Sequence, residues 1–410
     1  MDNSGTNGFD VRILNRRAIL KLVNEQQGIQ GISRKEISRR LSLTPATISN
    51  ITSELIKENT LIEYGVRSDD SKSGRKEVLL CLNKGYYKVL CAYVATRAVN
   101  VFCMDLNETI LFEKKLNFGE SESGRDILET ICDVFDEYLA TLTEEEKKTI
   151  IGIGMAVKGI VDSKEGISKR SFGLWEDNLN VMEIVKKRMP YKIIINNNVK
   201  CIAYAEHLLA GGNDNNNMIF IKYGPLIGGA FVSSSEIYDG YDYQAMNLGH
   251  MIVEINGDIC RCGQRGCLET IVGFDMMAKL LELQYSPTIL PILYRLTNGD
   301  KTRIDMESIL QSYDMGEGNV VRIVNRAMEY LAVTIANLIS IINPQKIVFY
   351  GRPFESGAFT DELIGKIKEK ASDISSTVIC NSARNMDLDY VGCASIVIKD
   401  FLESGAVLNR

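Results

Sequence analysis

The chain has 410 residues, 45% of them hydrophobic and 24% charged, with a net charge of −6. That length predicts two or three domains with substantial cores, and the lack of an 18-residue apolar run argues against a membrane-spanning helix. The charge is uneven: residues 1–85 carry 14 Lys/Arg against 10 Asp/Glu and the remainder 33 against 43, so a basic head on an acidic body points to a polyanionic partner for the head.

The first helix is predicted at Asn15–Gln26, where Ile19, Leu20, Leu22 and Val23 fall at helical spacing. Ser33 stands as an N-cap before RKEISRRLSL, with Glu36 placed to complete a capping box. Thr44 caps the next helix, predicted over Ala46–Asn59, and Pro45 sits in its first turn, where a missing N–H costs nothing. Ile48, Ile51, Leu55 and Ile56 share one face of that helix, and Thr47, Ser49, Asn50, Ser53 and Lys57 the other. Two helices joined by so short a turn describe a helix-turn-helix. Residues 60–82 alternate around a polar turn at Ser68–Ser73, as a β-wing would, and Gly74-Arg75 follows, where an arginine can enter a minor groove. The DNA-contact set predicted from this pattern is Ser33, Arg34, Thr44, Ala46, Thr47, Ser49, Asn50, Lys57, Gly74 and Arg75. The competing reading is a three-helix protein–protein module.

From residue 86 the pattern becomes α/β. VLCAYVAT, AVNVFCMDL and TILFEKKL read as three successive strands, followed by a helix at Asp126–Leu142 and the strand TIIGIGMAV. YKIIINNN leads into the helix VKCIAYAEHLLAG, and NMIFIKYG and GGAFVSSSEIYDG form another strand pair. Helices at 275–285 and 317–341 precede the strand QKIVFYG. No internal repeat shows at residue level.

His250, Cys260, Cys262 and Cys267 form an H-x9-C-x-C-x4-C set, and glycines at 257, 263 and 266 let the loop fold back on itself. One imidazole and three thiolates make a closed tetrahedral shell for a structural Zn²⁺. A disulfide is the alternative. The polar opening MDNSGTNGFD and the single, scattered placement of the other cysteines predict a reducing cytoplasm. His207 has no such neighbours and reads as structural.

With these motifs in view the chain resembles the ROK family of repressors and sugar kinases. The resemblance rests on the winged head with Gly74-Arg75, GIGMAVKGIVD at 152–162, SFGLWEDNLN at 171–180, NNNVKCIAYAE at 196–206, NLGH…CRCGQRGCLE at 247–269 and IINPQKIVFYGRP at 341–353. It implies a winged helix-turn-helix followed by a two-lobed actin/hexokinase-like body with a zinc loop. The predicted domains are 1–85, then a first lobe of 86–195 plus about 385–410, then a second lobe of 196–384 bearing the oligomerisation surface. The resemblance also carries sugar contacts onto Lys158, Gly159, Asn197, Asn198, Asn247, His250 and Glu269.

Kinases of the family need a carboxylate to accept the proton of the attacking hydroxyl. The matching position is Asn198, a neutral amide. The phosphate loop is replaced by a stretch around Tyr93-Val94-Ala95-Thr96, and the second glycine loop reads Gly224-Pro225-Leu226-Ile227-Gly228-Gly229, where Pro225 lacks a donor and Leu226 adds bulk. No catalytic residue and no ATP are therefore expected. Asn198 and Asn247 replace family carboxylates while Lys158 and Lys200 are gained, which predicts an anionic sugar derivative if both lysines face the pocket; the bland reading is solvated lysines beside a decayed site. The expectation is a non-enzymatic, sugar- or sugar-phosphate-responsive repressor of carbohydrate-utilisation genes, a homodimer or homotetramer on a palindromic operator, away from membranes. The alternative is a sugar kinase that keeps a DNA-binding head.

Overall fold

A computed structural model describes residues 8–25, 31–67, 77–209, 217–371, 376–384 and 388–408. The chain divides into two units, Met1–Asn213 with Asp389–Arg410, and Asp214–Leu388.

The first unit begins with α1 (Gly8–Glu25), β1 (Ile32–Ser33), α2 (Arg34–Leu41), α3 (Pro45–Lys57), β2 (Leu61–Arg67) and β3 (Glu77–Leu82). The three strands form an antiparallel sheet in the order β1-β3-β2. Capping sets the helix starts as expected: Ser33 Oγ accepts the Glu36 N–H at 3.2 Å, and Thr44 Oγ1 accepts that of Thr47 at 3.2 Å. Only half of the expected capping box forms, because Arg39 and Arg40 take the Glu36 carboxylate instead. Hydrogen bonds from those two arginines hold that carboxyl down at about 2. The turn at Ser68–Ser73, together with Gly74 and Arg75, lies outside the described residues.

The body of this unit continues with β4 (Lys88–Val94), β5 (Ala98–Asp105), β6 (Ile110–Asn117), α4 (Gly124–Leu139), α5 (Glu144–Lys147), β7 (Ile150–Val157), β8 (Ile160–Asp162), β9 (Ile167–Arg170), β10 (Leu179–Asn180), α6 (Val181–Lys186), β11 (Ile193–Asn197) and α7 (Asn198–Leu209). Its main sheet runs β11-β7-β4-β5-β6, with β11, β7 and β4 parallel and β4–β6 an antiparallel meander. β7 is buried at every position (IIGIGMAV), as a central strand covered on both faces must be. Ile127, Ile131 and Phe135 of α4 pack with Ile153, Met155 and Val157 of β7 in its core.

The second unit holds β12 (Met218–Tyr223), β13 (Ile227–Ser233), β14 (Glu236–Ile237), α8 (Glu269–Val272), α9 (Phe274–Glu282), α10 (Pro291–Leu296), α11 (Met306–Asp314), α12 (Gly318–Ile342), β15 (Lys346–Tyr350), α13 (Gly357–Lys370) and β16 (Val378–Asn381). Its sheet order is β14-β13-β12-β15-β16, with β12, β15 and β16 parallel and β12–β14 antiparallel. Both sheets thus follow one plan, a three-strand meander followed by two parallel crossover strands. The repeat absent from the residues is present in the topology.

The final helix α14 (Leu388–Glu403) returns to the first unit, where the Cys393 thiol donates to Ala92 O at 3.7 Å. The division differs from the expected boundary near residue 196. α7 stays with the first unit because β11 runs straight into it and α14 packs on it, with Ser395 Oγ donating to Cys201 O at 3.4 Å.

Candidate functional site

Three groups of side chains carry chemistry. In the second unit a short 3₁₀ turn, Leu248–His250, presents His250, and the loop after it folds back twice. The Leu268 N–H donates to Met251 O at 2.8 Å, the Val253 N–H to Gly266 O at 2.9 Å, and the Cys260 N–H to Gln264 O at 2.7 Å. Gly263 and Gly266 take φ of +90° and +74°, conformations that let the hairpin reverse within a few residues. The ligand atoms of His250, Cys260, Cys262 and Cys267 consequently lie within 4.8 Å of one another. Cys260 Sγ is 3.5 Å from His250 Nδ1, and Cys262 Sγ is 3.6 Å from Cys267 Sγ. A tetrahedral shell with bonds of about 2.3 Å has ligand–ligand edges of about 3.8 Å, so the four residues can hold a metal ion. All ten cysteines are unbridged, and the expected disulfide alternative has no bonded pair. Burial, followed by the neighbouring thiols, pushes the Cys267 thiol up to about 12.

Glu269 opens α8 two residues after the last ligand. It is nearly buried, and Arg261 donates to its carboxylate. Sequence reasoning missed Arg261. It lies between two ligands in the Cys-Arg-Cys run, and only the folded loop shows that it turns away from them toward Glu269. Asn247 is exposed, and its carbonyl accepts the His250 N–H at 3.0 Å.

In the first unit Gly159 has φ +105°, and a Cβ there would collide with the Arg170 carbonyl. Asn197 Nδ2 donates to Gly159 O at 2.7 Å, while its Oδ1 accepts the N–H groups of Val199 at 2.9 Å and Lys200 at 3.1 Å. Asn197 therefore ties the turn after β7 to the start of α7, a structural use of a residue expected to touch the effector. Asn198 is 8% exposed, with its Nδ2 3.5 Å from the Tyr93 hydroxyl. Lys158 is half-buried, with Nζ 3.5 Å from Phe172 O, and the Arg170 guanidinium lies 5.3 Å from the Phe172 ring. Lys200 is only 3% exposed, so it is not the solvated lysine of the bland reading. In the β12–β13 turn the Gly224 N–H donates to Leu226 O, and Pro225 has no N–H.

In the head, Ser42 at φ 52° turns the chain between α2 and α3, and Ser38 Oγ donates to Leu43 O at 2.6 Å. Thr44, Ala46, Ser49, Asn50 and Lys57 are exposed and Thr47 is half-buried, opposite the buried Ile48, Ile51 and Leu55. Ser33 and Arg34, expected among the DNA contacts, are used by the head itself. Ser33 is buried as a cap, and Arg34 donates to Thr52 Oγ1 and to Glu63, each at 3.0 Å.

Residues 94–398 match the ROK family. A putative xylose repressor of Caldicellulosiruptor sp. (strain Rt8B.4) is 28% identical over 397 residues, covering 96% of this chain and 97% of that protein. The crystal structure of a ROK family transcriptional regulator, a homologue of the E. coli MLC protein, superposes with a TM-score of 0.78 at 23% identity, covering 97% of this chain and 98% of that one. A ROK family glucokinase from Streptomyces griseus, in complex with glucose and AMPPNP, has a TM-score of 0.64 at 17% identity, covering 76% of this chain and 99% of the kinase. The body therefore has the ROK fold, with its actin/hexokinase-like α/β organisation.

Proposed function

The chain belongs to the ROK family, and from that premise we propose that it is a sugar-responsive transcriptional repressor whose kinase-like body senses a sugar without phosphorylating it. The observation that carries this reading is the polar N-terminal face of α3, with Ala46, Ser49 and Asn50 exposed above a buried Ile48, Ile51 and Leu55. Short hydroxyl and amide side chains there can bond base edges, and Lys57 can meet a phosphate. The antiparallel β2–β3 pair after α3 supports a winged helix-turn-helix. The match to a protein named as a xylose repressor runs through the head as well as the body.

The absence of enzymatic activity is argued from Asn198, whose neutral amide lies near a tyrosine hydroxyl and cannot accept the proton that phosphoryl transfer releases. Lys158, Gly159, Asn197 and Asn198 are the proposed effector residues of one unit; Asn247, His250 and Glu269 are those of the other. The pairing of Glu269 with Arg261 engages the carboxylate that a neutral sugar would otherwise bond. Zn²⁺ is the ion we assign to His250, Cys260, Cys262 and Cys267. Four protein ligands leave no position for a reacting water, so the ion would brace the loop that carries His250 and Glu269. A dimer or tetramer on a palindromic operator follows from the head type.

The test is selection of a duplex from a random pool by the full chain, followed by anisotropy titration. The selected duplex should bind at least a hundredfold more tightly than an unrelated one, and Asn50→Asp should remove most of that preference by replacing the amide that donates to a base edge with an acceptor-only carboxylate. Equal binding of all duplexes by the wild type would overturn the proposal.

A further inference from the structure

The head meets the end of the chain at one buried cation. Arg16, on α1, is 5% exposed; its Nε donates to Gly405 O at 2.7 Å, and both Nη groups donate to the Glu58 carboxylate, Nη1 at 3.1 Å. Glu58 is the C-cap residue of α3. A planar guanidinium bound to a carboxylate by two parallel bonds and to a carbonyl by a third has its orientation fixed, unlike a lysine ammonium. Gly405 follows α14 at φ +71°, and a Cβ there would come within 3.1 Å of Arg16 Cβ.

Tyr87 makes a second tie at the same place. Its hydroxyl donates to Glu58 O at 3.1 Å and shares a 3.0 Å hydrogen bond with Thr60 Oγ1, while its ring lies 4.8 Å from that of Phe401 on α14. Both the backbone and the side chain of the α3 C-cap are thus fastened to residues that touch the end of α14. Farther along, α14 packs on α7 through Ser395 and Cys201, and α7 is capped by Asn197. One packed path in a single unit leads from the Asn197–Asn198 corner to the helix assigned to DNA.

We propose that Arg16 is a positioning residue: it clamps the C-cap of α3 to the Gly405 turn, so that a shift of α7 and α14 reaches the DNA-reading helix. The DNA consequence rests on the repressor reading above, whereas the clamp itself does not. Coupling of this kind is carried by contiguous packed elements and is established only by perturbing both ends.

The experiment uses the full-length chain and hydrogen–deuterium exchange at residues 54–60 and 401–406. Arg16→Met and Gly405→Val, which break the contact from opposite sides, should each speed exchange about tenfold in both segments. The double variant should add little to either, as residues of one interaction do. Arg17→Met, which removes a half-exposed 3.6 Å pair with Glu403, should change neither segment. Native emission from Trp175 shows that the body of the unit is intact in each variant. If Gly405→Val opens 401–406 but leaves 54–60 at the wild-type rate, the clamp is wrong, whatever becomes of the Arg16 variant. On the duplex selected by the wild type, both variants should lower the ratio of selected to unrelated binding about tenfold; an unchanged ratio overturns the positioning role. Failure of the wild type to select any duplex removes the repressor reading and leaves the exchange data to decide the clamp.

Discussion

The two five-stranded sheets share a strand plan but secure their insertions by different chemistry. In the first unit the extra segment follows the fourth strand of the plan, β7, and includes β8–β10. It is held by ordinary hydrogen bonds: the Trp175 Nε1–H donates to Ser168 Oγ at 2.9 Å, Ser171 Oγ to Trp175 O at 2.5 Å, and Asn197 to Gly159 O. In the second unit the insertion follows the third strand, β14. Its first part packs Leu248, Met251, Val253 and Leu268 against the core but leaves Ile252, Ile255 and Ile259 exposed, and its exposed stretch converges on four side chains that can hold a metal ion. A stretch that exposes its isoleucines gains little from packing to offset its ordering entropy. The first insertion folds with its sheet, whereas the proposed Zn²⁺ would brace the second.

The largest effect should come from removing the proposed metal. Chelation or Cys267→Ser should release one equivalent of zinc per chain and abolish exchange protection over 248–268. Structural zinc contributes about 10–16 kcal/mol in zinc-finger peptides, so the loop should not persist without it. The only tryptophan of the chain, Trp175, is 7% exposed and reports on the first unit alone, and its emission should not change. A shifted emission, or protection that survives chelation, would erase the distinction between the units.

A smaller effect should come from the hydrogen-bonded side. Asn197→Ala removes the cap of α7 and leaves the Gly159 carbonyl without this donor. The cap is worth about 1 kcal/mol and the lost bond about 1 kcal/mol more, so thermal unfolding followed at Trp175 should show a loss of about 2 kcal/mol. The exchange pattern of the metal loop should stay as in the wild type. A loss below about 0.5 kcal/mol would mean that Asn197 is not part of the scaffold and is free for the effector role the family resemblance implies.

The head and the metal loop were legible in the sequence because their signals are local. Ser33, Thr44 and Pro45 act on the adjacent turn, Ile48, Ile51 and Leu55 recur at helical spacing, and thiol and imidazole ligands declare themselves by residue type. The meander β4–β6 was placed to within two residues for the same reason. α14 was not read as a helix because it is buried on most sides, so LDYVGCASIVIKDFLE offers no clean polar face to set the period. The shared sheet plan left no trace because strand order is fixed by backbone pairing, which different residues satisfy equally. At the candidate site the neutral amide of Asn198 is plain from residue type, but the double use of Asn197, the burial of Lys200 and the Arg261–Glu269 pair depend on how the chain folds. Glu36 shows that a local rule can also lose to stronger neighbours, since two arginines outbid a backbone N–H for its carboxylate.

In the proposed function the body senses sugar without transferring phosphate. The most direct measurement is a titration of the preformed protein–duplex complex with D-xylose, D-glucose, N-acetylglucosamine and their phosphates, with and without Mg·ATP, while ADP is followed in the same cuvette. At least one of these sugars should release the duplex at a midpoint that ATP does not move, with no ADP formed above the protein-free rate. Release that requires ATP, or ADP formation that stops when Asn198 is changed to Ala, would contradict this reading.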